Sequence, residues 1–193
     1  MIDLPKSKHY YLNKLLSLIT PPKQTTYRNT LLLFADIEKE YKLIFPNDYK
    51  ELIAYYGCGT FCNTLFIENP FGDDSLFKGH FRRIEFYQTM LGFPLQSKET
   101  RFPIFPEING LLEIGYNDNG NILMWKIENN SKIWPLYFFD DYMQNESVYY
   151  MQITEFLYRW LIGELRPACL EACRHVDVPL IPRERYPLFL PDK

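Results

Sequence analysis

No uninterrupted apolar run in these 193 residues approaches the roughly 18 needed to cross a membrane, and the opening stretch MIDLPKSKHYYLNK lacks the apolar core of a signal peptide. Neither a membrane span nor a secretory leader is expected, and the cytoplasm is the expected compartment. Four cysteines are too few to staple a chain this long and are expected to stay reduced there. Histidine is scarcer still: His9, His80 and His175 stand alone, without a recognisable partner for acid–base work. A nucleophile elbow, a Walker-type phosphate loop and a dinucleotide glycine fingerprint are all missing. These absences disfavour an enzyme, and no cofactor is expected.

What the chain does have is apolar and aromatic mass. With 47% hydrophobic and 17% aromatic residues, it suits one compact domain or one domain with an extension, and disorder is not expected for most of its length. Charge is unevenly spread. Residues 1–50 carry eight Lys or Arg against five Asp or Glu, a balance of +3. Residues 104–150 carry Lys126 and Lys132 against Glu107, Glu113, Asp118, Glu128, Asp140, Asp141 and Glu146, a balance of −5. An acidic middle segment with a formal net charge of −3 overall argues against a nucleic-acid partner and against a membrane surface.

The stretch FPNDYKELIAYYGCGTF, residues 45–61, predicts a helix with its start and stop written in. Tyr49, Leu52, Ile53 and Tyr56 share one helical face, Pro46 suits the first turn, Asn47 and Asp48 bring acceptors to it, and Gly57 ends it. Before it, Ser7 caps a first helix with Leu12, Leu15, Leu16 and Ile19 inward, stopped at Pro21-Pro22. A second helix over Asn29–Leu43 turns Phe34, Ile37, Tyr41 and Ile44 to one side. Phe61 to Glu68 reads as one strand. Asp73 and Asp74 offer caps for a fourth helix with Phe77, Phe81 and Ile84 as its buried stripe.

From Phe102 the period changes, and LLEIGY, NILMWKIE, IWPLYFF and VYYMQI predict short strands in a meander. Asn119-Gly120 marks a hairpin whose two residues both tolerate positive φ, and Pro135 favours an edge or a bulge. Thr154 is expected to cap a closing helix that buries Phe156, Leu157, Trp160 and Leu161. Helices first, strands second and a helix to close is an α+β order, an antiparallel meander sheet with flanking helices. We expect an N-terminal helical extension over 1–28, the α+β domain over 29–165, and a Pro-rich extended arm over 166–193 packed on that domain.

Two local patterns invite chemistry. Cys58 and Cys62, with Cys169 and Cys173, make four thiols that zinc would accept, but the first pair straddles a helix end and a strand start, and the second shares one helical face. Reduced, buried cysteines are the preferred reading, and no metal is expected. Asp140-Asp141 and the pair Glu113 and Asp118 suggest acid–base work, yet adjacent carboxylates in a strand point to opposite faces, and a solvated turn accounts for the first pair.

The order of these features resembles the SUKH superfamily, the Smi/Knr-like proteins. Phe45, Pro46, Asp48, Tyr49, Leu52, Gly57 and Gly59 follow its helix pattern. Gly110, Ile114, Gly115, Gly120 and Trp125 follow its hairpin, and Trp134 and the last helix come in the expected order over about residues 30–165. The sequence departs at Asn121 and Phe45, where the family has aspartate and leucine. The resemblance implies an immunity protein that binds and occludes a cognate bacterial toxin without chemistry of its own. Its alternative is an intracellular scaffold or regulator. A nuclease toxin must present a basic surface. The expected contact surface is therefore Asp118, Glu128, Asp140 and Asp141 for steering, with Trp125, Tyr137 and Phe138 as anchors, on a monomer or weak dimer.

Overall fold

The computed structural model describes residues 8–22, 27–71, 76–90, 102–128, 133–140, 145–170 and 189–191. Helices α1 (Tyr10–Leu18), α2 (Tyr27–Tyr41) and α3 (Asn47–Tyr56) precede strands β1 (Gly59–Phe61) and β2 (Leu65–Ile67). Helix α4 (Leu76–Met90) follows, then β3 (Leu111–Asn117), β4 (Ile122–Lys126), β5 (Leu136–Phe139), β6 (Glu146–Tyr149), α5 (Ile153–Leu161) and β7 (Phe189–Pro191). The strands form one antiparallel sheet in the order β6-β5-β4-β3-β2-β1-β7. The fold is α+β, as expected. From β1 to β6 the sheet is a meander with α4 inserted after β2, and β7 pairs with the outer edge of β1.

Alternation along the strands divides the sheet into two faces. Leu112, Leu123, Trp125, Leu136 and Phe138 point into the main core, where they meet Leu12 and Leu15 of α1, Phe34 of α2, the inner side of α3, and Phe156, Leu157 and Trp160 of α5. Leu111, Ile122, Met124, Tyr137 and Phe139 form a smaller cluster on the other face, under Phe102 and Ile104. Polar ties pin the helices. Tyr56 Oη donates to the Ile19 carbonyl at 2.8 Å, joining α3 to the end of α1. Tyr49 Oη donates to the Glu68 carbonyl at 2.6 Å, joining α3 to the end of β2.

Several expectations are corrected. Phe61 to Glu68 is a hairpin and not one strand, because Cys62 and Asn63 take φ of 50° and 55° and turn the chain between β1 and β2. Helix α2 stops at Tyr41, and Lys42 at φ 54° throws Ile44 outward, where it is 75% exposed. Over residues 76–85 of α4 the buried positions are Leu76, Phe77 and His80, with Phe81 exposed and Ile84 half-buried. Pro135 precedes an interior strand, between β4 and β6. Thr154 is not the cap residue of α5, which is Gln152. Thr154 instead donates its N–H and its hydroxyl to Asp48 Oδ2 of α3, both at 3.1 Å. The first turn of α5 is thus satisfied from another helix, by a carboxyl group that also stands in the first turn of α3. Ser7, Asp73 and Asp74, the other expected caps, lie outside the described residues.

Candidate functional site

The strand registers place three turns at one end of the sheet: Cys62–Thr64 between β1 and β2, Asp118–Gly120 between β3 and β4, and the connection from Asp140 to Asn145 between β5 and β6. Each turn is held by its own short side chains. Asn117 Oδ1 accepts the N–H groups of Asn119 and Asn121 at 3.1 and 3.0 Å, and Gly120 N–H returns to the Asn117 carbonyl at 3.0 Å. Only Gly120 has positive φ, at 82°. The loop is therefore a three-residue turn closed by a left-handed glycine, and Asn119 does not use the positive φ that it tolerates. Asp140 Oδ2 accepts from the backbone and side-chain nitrogens of Asn145 at 3.2 and 2.7 Å, which closes the second turn.

This end is acidic. Asp118 is exposed, while Asp140 and Glu146 are half-buried on neighbouring strand ends, and the three connecting stretches hold no Lys or Arg. Asp141, expected beside them, lies outside the described residues. Glu128 does not join the group: it follows β4 at the opposite end, and at about 3.3 Å per residue the strand separates it from Asp118 by roughly 20 Å. Glu113, counted in the acidic segment, is buried and adds nothing to surface charge.

The expected aromatic anchors are corrected outright. Trp125, Tyr137 and Phe138 are all buried. Trp125 stands edge-on to Tyr49 at 4.8 Å and Trp134 at 5.5 Å, Phe138 lies against Phe156, and Tyr137 stacks with Phe139 and meets Phe102. Interior strands are covered on both faces, and apart from the half-buried Lys126 every side chain of β4 and β5 is buried.

Residues singled out as structural markers have visible work. The Pro46 carbonyl accepts from the N–H groups of Tyr49 and Lys50 at the start of α3, and Gly57 ends that helix at φ 75° before Gly59 opens β1. Gly115 sits where β3 bulges against β4, and a Cβ there would lie 2.4 Å from the Phe66 carbonyl oxygen of β2. Only glycine permits that approach. Trp134 donates Nε1–H to the Glu128 carbonyl at 3.1 Å and closes the connection between β4 and β5.

A family model described as SMI1-KNR4 cell-wall matches residues 32–157. The chain belongs to the SUKH superfamily. The match begins inside α2 and ends inside α5, so the matched part of this SUKH protein holds α3, α4 and strands β1 to β6, while α1 and β7 lie beyond it. No curated protein and no solved structure matches the chain. Among the described residues no helix is long and apolar enough to cross a membrane.

Proposed function

We propose that this SUKH protein is an immunity protein that binds a cognate bacterial toxin and covers its working surface without chemistry of its own. The observation that carries the reading is the acidic end of the sheet: Asp118, Asp140 and Glu146 on adjoining turns, with no Lys or Arg in the stretches that form them. Such a surface complements a basic partner, and a nuclease toxin must be basic where it holds phosphates. Charge of this kind speeds association more than it tightens the final complex, and salt screens it. Trp125, Tyr137 and Phe138 take no direct part, and Glu128 is too distant to act with the group.

Binding kinetics against the toxin encoded beside this gene test the reading at two ionic strengths. Asp118→Lys combined with Asp140→Asn removes charge while leaving an oxygen at residue 140 to accept from Asn145. This variant is expected to associate at least ~10-fold more slowly at low salt, with the gap closing at high salt. Asp36→Lys with Glu85→Lys, on exposed faces of α2 and α4, is the control and is expected to do much less. Equal effects from both variants, or association insensitive to salt, would move the partner surface elsewhere.

A further inference from the structure

Helix α4 crosses the second face of the sheet with a polar underside. A Cβ at Gly79 would lie 3.1 Å from Glu68 Oε1, so the Glu68 carboxyl group is pressed against the helix just beyond the end of β2. One turn along, Arg83 Nη2 lies 2.7 Å from Glu113 Oε1 of β3, an ion pair at hydrogen-bond distance but out of hydrogen-bond alignment. The same guanidinium sits 4.9 Å from the centre of the Tyr116 ring. Between these contacts His80 bridges two backbone segments. Its Nδ1 accepts the Glu113 N–H at 3.3 Å, which leaves Nε2 to carry the proton and donate to the Phe105 carbonyl at 3.1 Å. The imidazole is therefore neutral by geometry, and a proton on Nδ1 breaks the contact with β3. β2 ends at Ile67, opposite Gly115, and so leaves Glu113 N–H without a strand neighbour on that side.

The charges at this contact do not balance. Glu68 and Glu113 are both buried, one guanidinium faces them, and Glu68 Oε2, Glu113 Oε2 and Arg83 Nε have no hydrogen-bond partner. Arg83 is itself 29% exposed, so water also competes for its charge. Among the described residues, the other ionisable groups around Glu68 and Glu113 are Tyr49 of α3, whose hydroxyl is spent on the Glu68 carbonyl, and Tyr116 of β3; Lys78 and Arg82 of α4 and Glu107 of the 105–110 turn are exposed. A second buried carboxylate without its own cation is held far more easily as the neutral acid.

We propose that the buried Glu68, lacking a cation of its own, is held as the neutral acid in the folded protein and that its ionisation unseats α4, so that the contact of α4 with the sheet is a proton-dependent latch. Burial, then the charge of Glu113, pushes the Glu68 carboxyl up to about 8, with Arg83 acting in the opposite direction. Burial likewise raises Glu113 to about 7 against the pull of Arg83, and burial lowers His80 to about 4 against its bond to Phe105. A carboxyl group raised in the folded state contributes stability below its ordinary value of 4.5 and loses it as pH climbs through the folded value. A lowered imidazole does the reverse and weakens the fold as pH falls from 6.5 towards 4. Above 6.5 the imidazole is neutral in both states, and only the carboxyl groups still titrate. The latch therefore loosens on the alkaline side through Glu68 and on the acid side through His80.

The test uses the full chain with glutamate side chains labelled for carbon NMR, together with amide hydrogen exchange corrected for intrinsic rates. Glu68 is expected to titrate well above the ordinary carboxylate range. Protection of the α4 amides is expected to fall by ~10-fold or more between about pH 6 and about pH 8.5, relative to the amides of β4 and β5. Glu68→Gln keeps the neutral shape and is expected to flatten that dependence. A Glu68 midpoint near its ordinary value, or an equal alkaline loss in Glu68→Gln, overturns the proposal. Should the variant not fold, the titration of Glu68 in the parent chain decides alone.

Discussion

On the face covered by α1, α2, α3 and α5, Phe45, Tyr49, Trp125 and Trp134 pack ring against ring, and the Tyr49 hydroxyl and the Trp134 Nε1–H are tied to carbonyl oxygens. On the face crossed by α4, apolar Leu111, Met124 and Tyr137 share the sheet with Glu113, Glu68, Arg83 and His80. The strands alternate in the same way on both sides, so the difference comes from what covers them. Four amphipathic helices bring apolar stripes to the first face, to which α4 adds Leu76 and Phe77 from its first turn, whereas its Gly79, His80 and Arg83 meet the polar residues of the second. The first face is expected to supply stability that ignores pH, and the second a contact that responds to it. Asp48 is the exception on the dry side. Burial raises its carboxyl group, but two bonds from Thr154 oppose the rise and give it a partner that Glu68 lacks.

The sharpest way to break this comparison is to cut into the dry face. Trp125 is buried at the centre of the aromatic group, and Trp125→Ala removes its area and leaves a cavity that surrounding rings only partly close. The expected loss is about 3–5 kcal/mol, measured by denaturant unfolding. The loss is expected to be the same at about pH 6 and about pH 8.5, since the ionisable group near the α4 contact that meets that ring, Tyr49, is held protonated by burial well above this range. A strongly pH-dependent loss would show that the two faces act as one unit.

Much of this arrangement was legible in the sequence. The α3 helix, the meander and the α+β order follow from periodicity and punctuation, because helical and strand spacings bury different residues. The failures have specific causes. Trp125, Tyr137 and Phe138 read as anchors because an apolar strand looks alike whether one face is exposed or both are covered. Phe81 read as core because spacing gives a stripe's period but not its orientation, and the need for an acceptor for the Glu113 N–H and a donor for the Phe105 carbonyl turned His80 inward instead. The Glu68, Gly79, Arg83 and Glu113 contact joins three distant segments, so no local pattern announces it. Its one trace is a carboxylate in the middle of the apolar strand LLEIGY.

A smaller effect probes the hinge that both faces share. Gly120 closes the turn between β3 and β4 at φ 82°, and those two strands contribute side chains to both clusters. Gly120→Val forces a β-branched residue into that conformation and is expected to cost about 1–3 kcal/mol in thermal or chemical unfolding. Because the strain lies outside both faces, it should lower stability without changing its slope against pH. An unchanged midpoint would mean that the turn relaxes into another form, and the bonds from Asn117 would then hold the hairpin without help from the glycine.

The smallest expected change concerns apolar residues that belong to neither face. Ile108 and Tyr150 are each 77% exposed, and both lie at the end of the sheet away from Asp118: Ile108 in the turn before β3, Tyr150 just after β6. Exposed side chains with few neighbours contribute little to folding, so Ile108→Ser and Tyr150→Ser should each shift stability by no more than ~0.5 kcal/mol. Their use lies in locating the partner. If the toxin docks at the acidic end, both variants keep the parent's association and dissociation rates, because they stand a strand length from the contact. Exposed aromatic and aliphatic groups make effective anchors, and losing an anchor shows mainly as faster dissociation. Faster dissociation from either variant, with association unchanged, would therefore place the partner's core contact at this apolar end and leave Asp118 and Asp140 with steering alone.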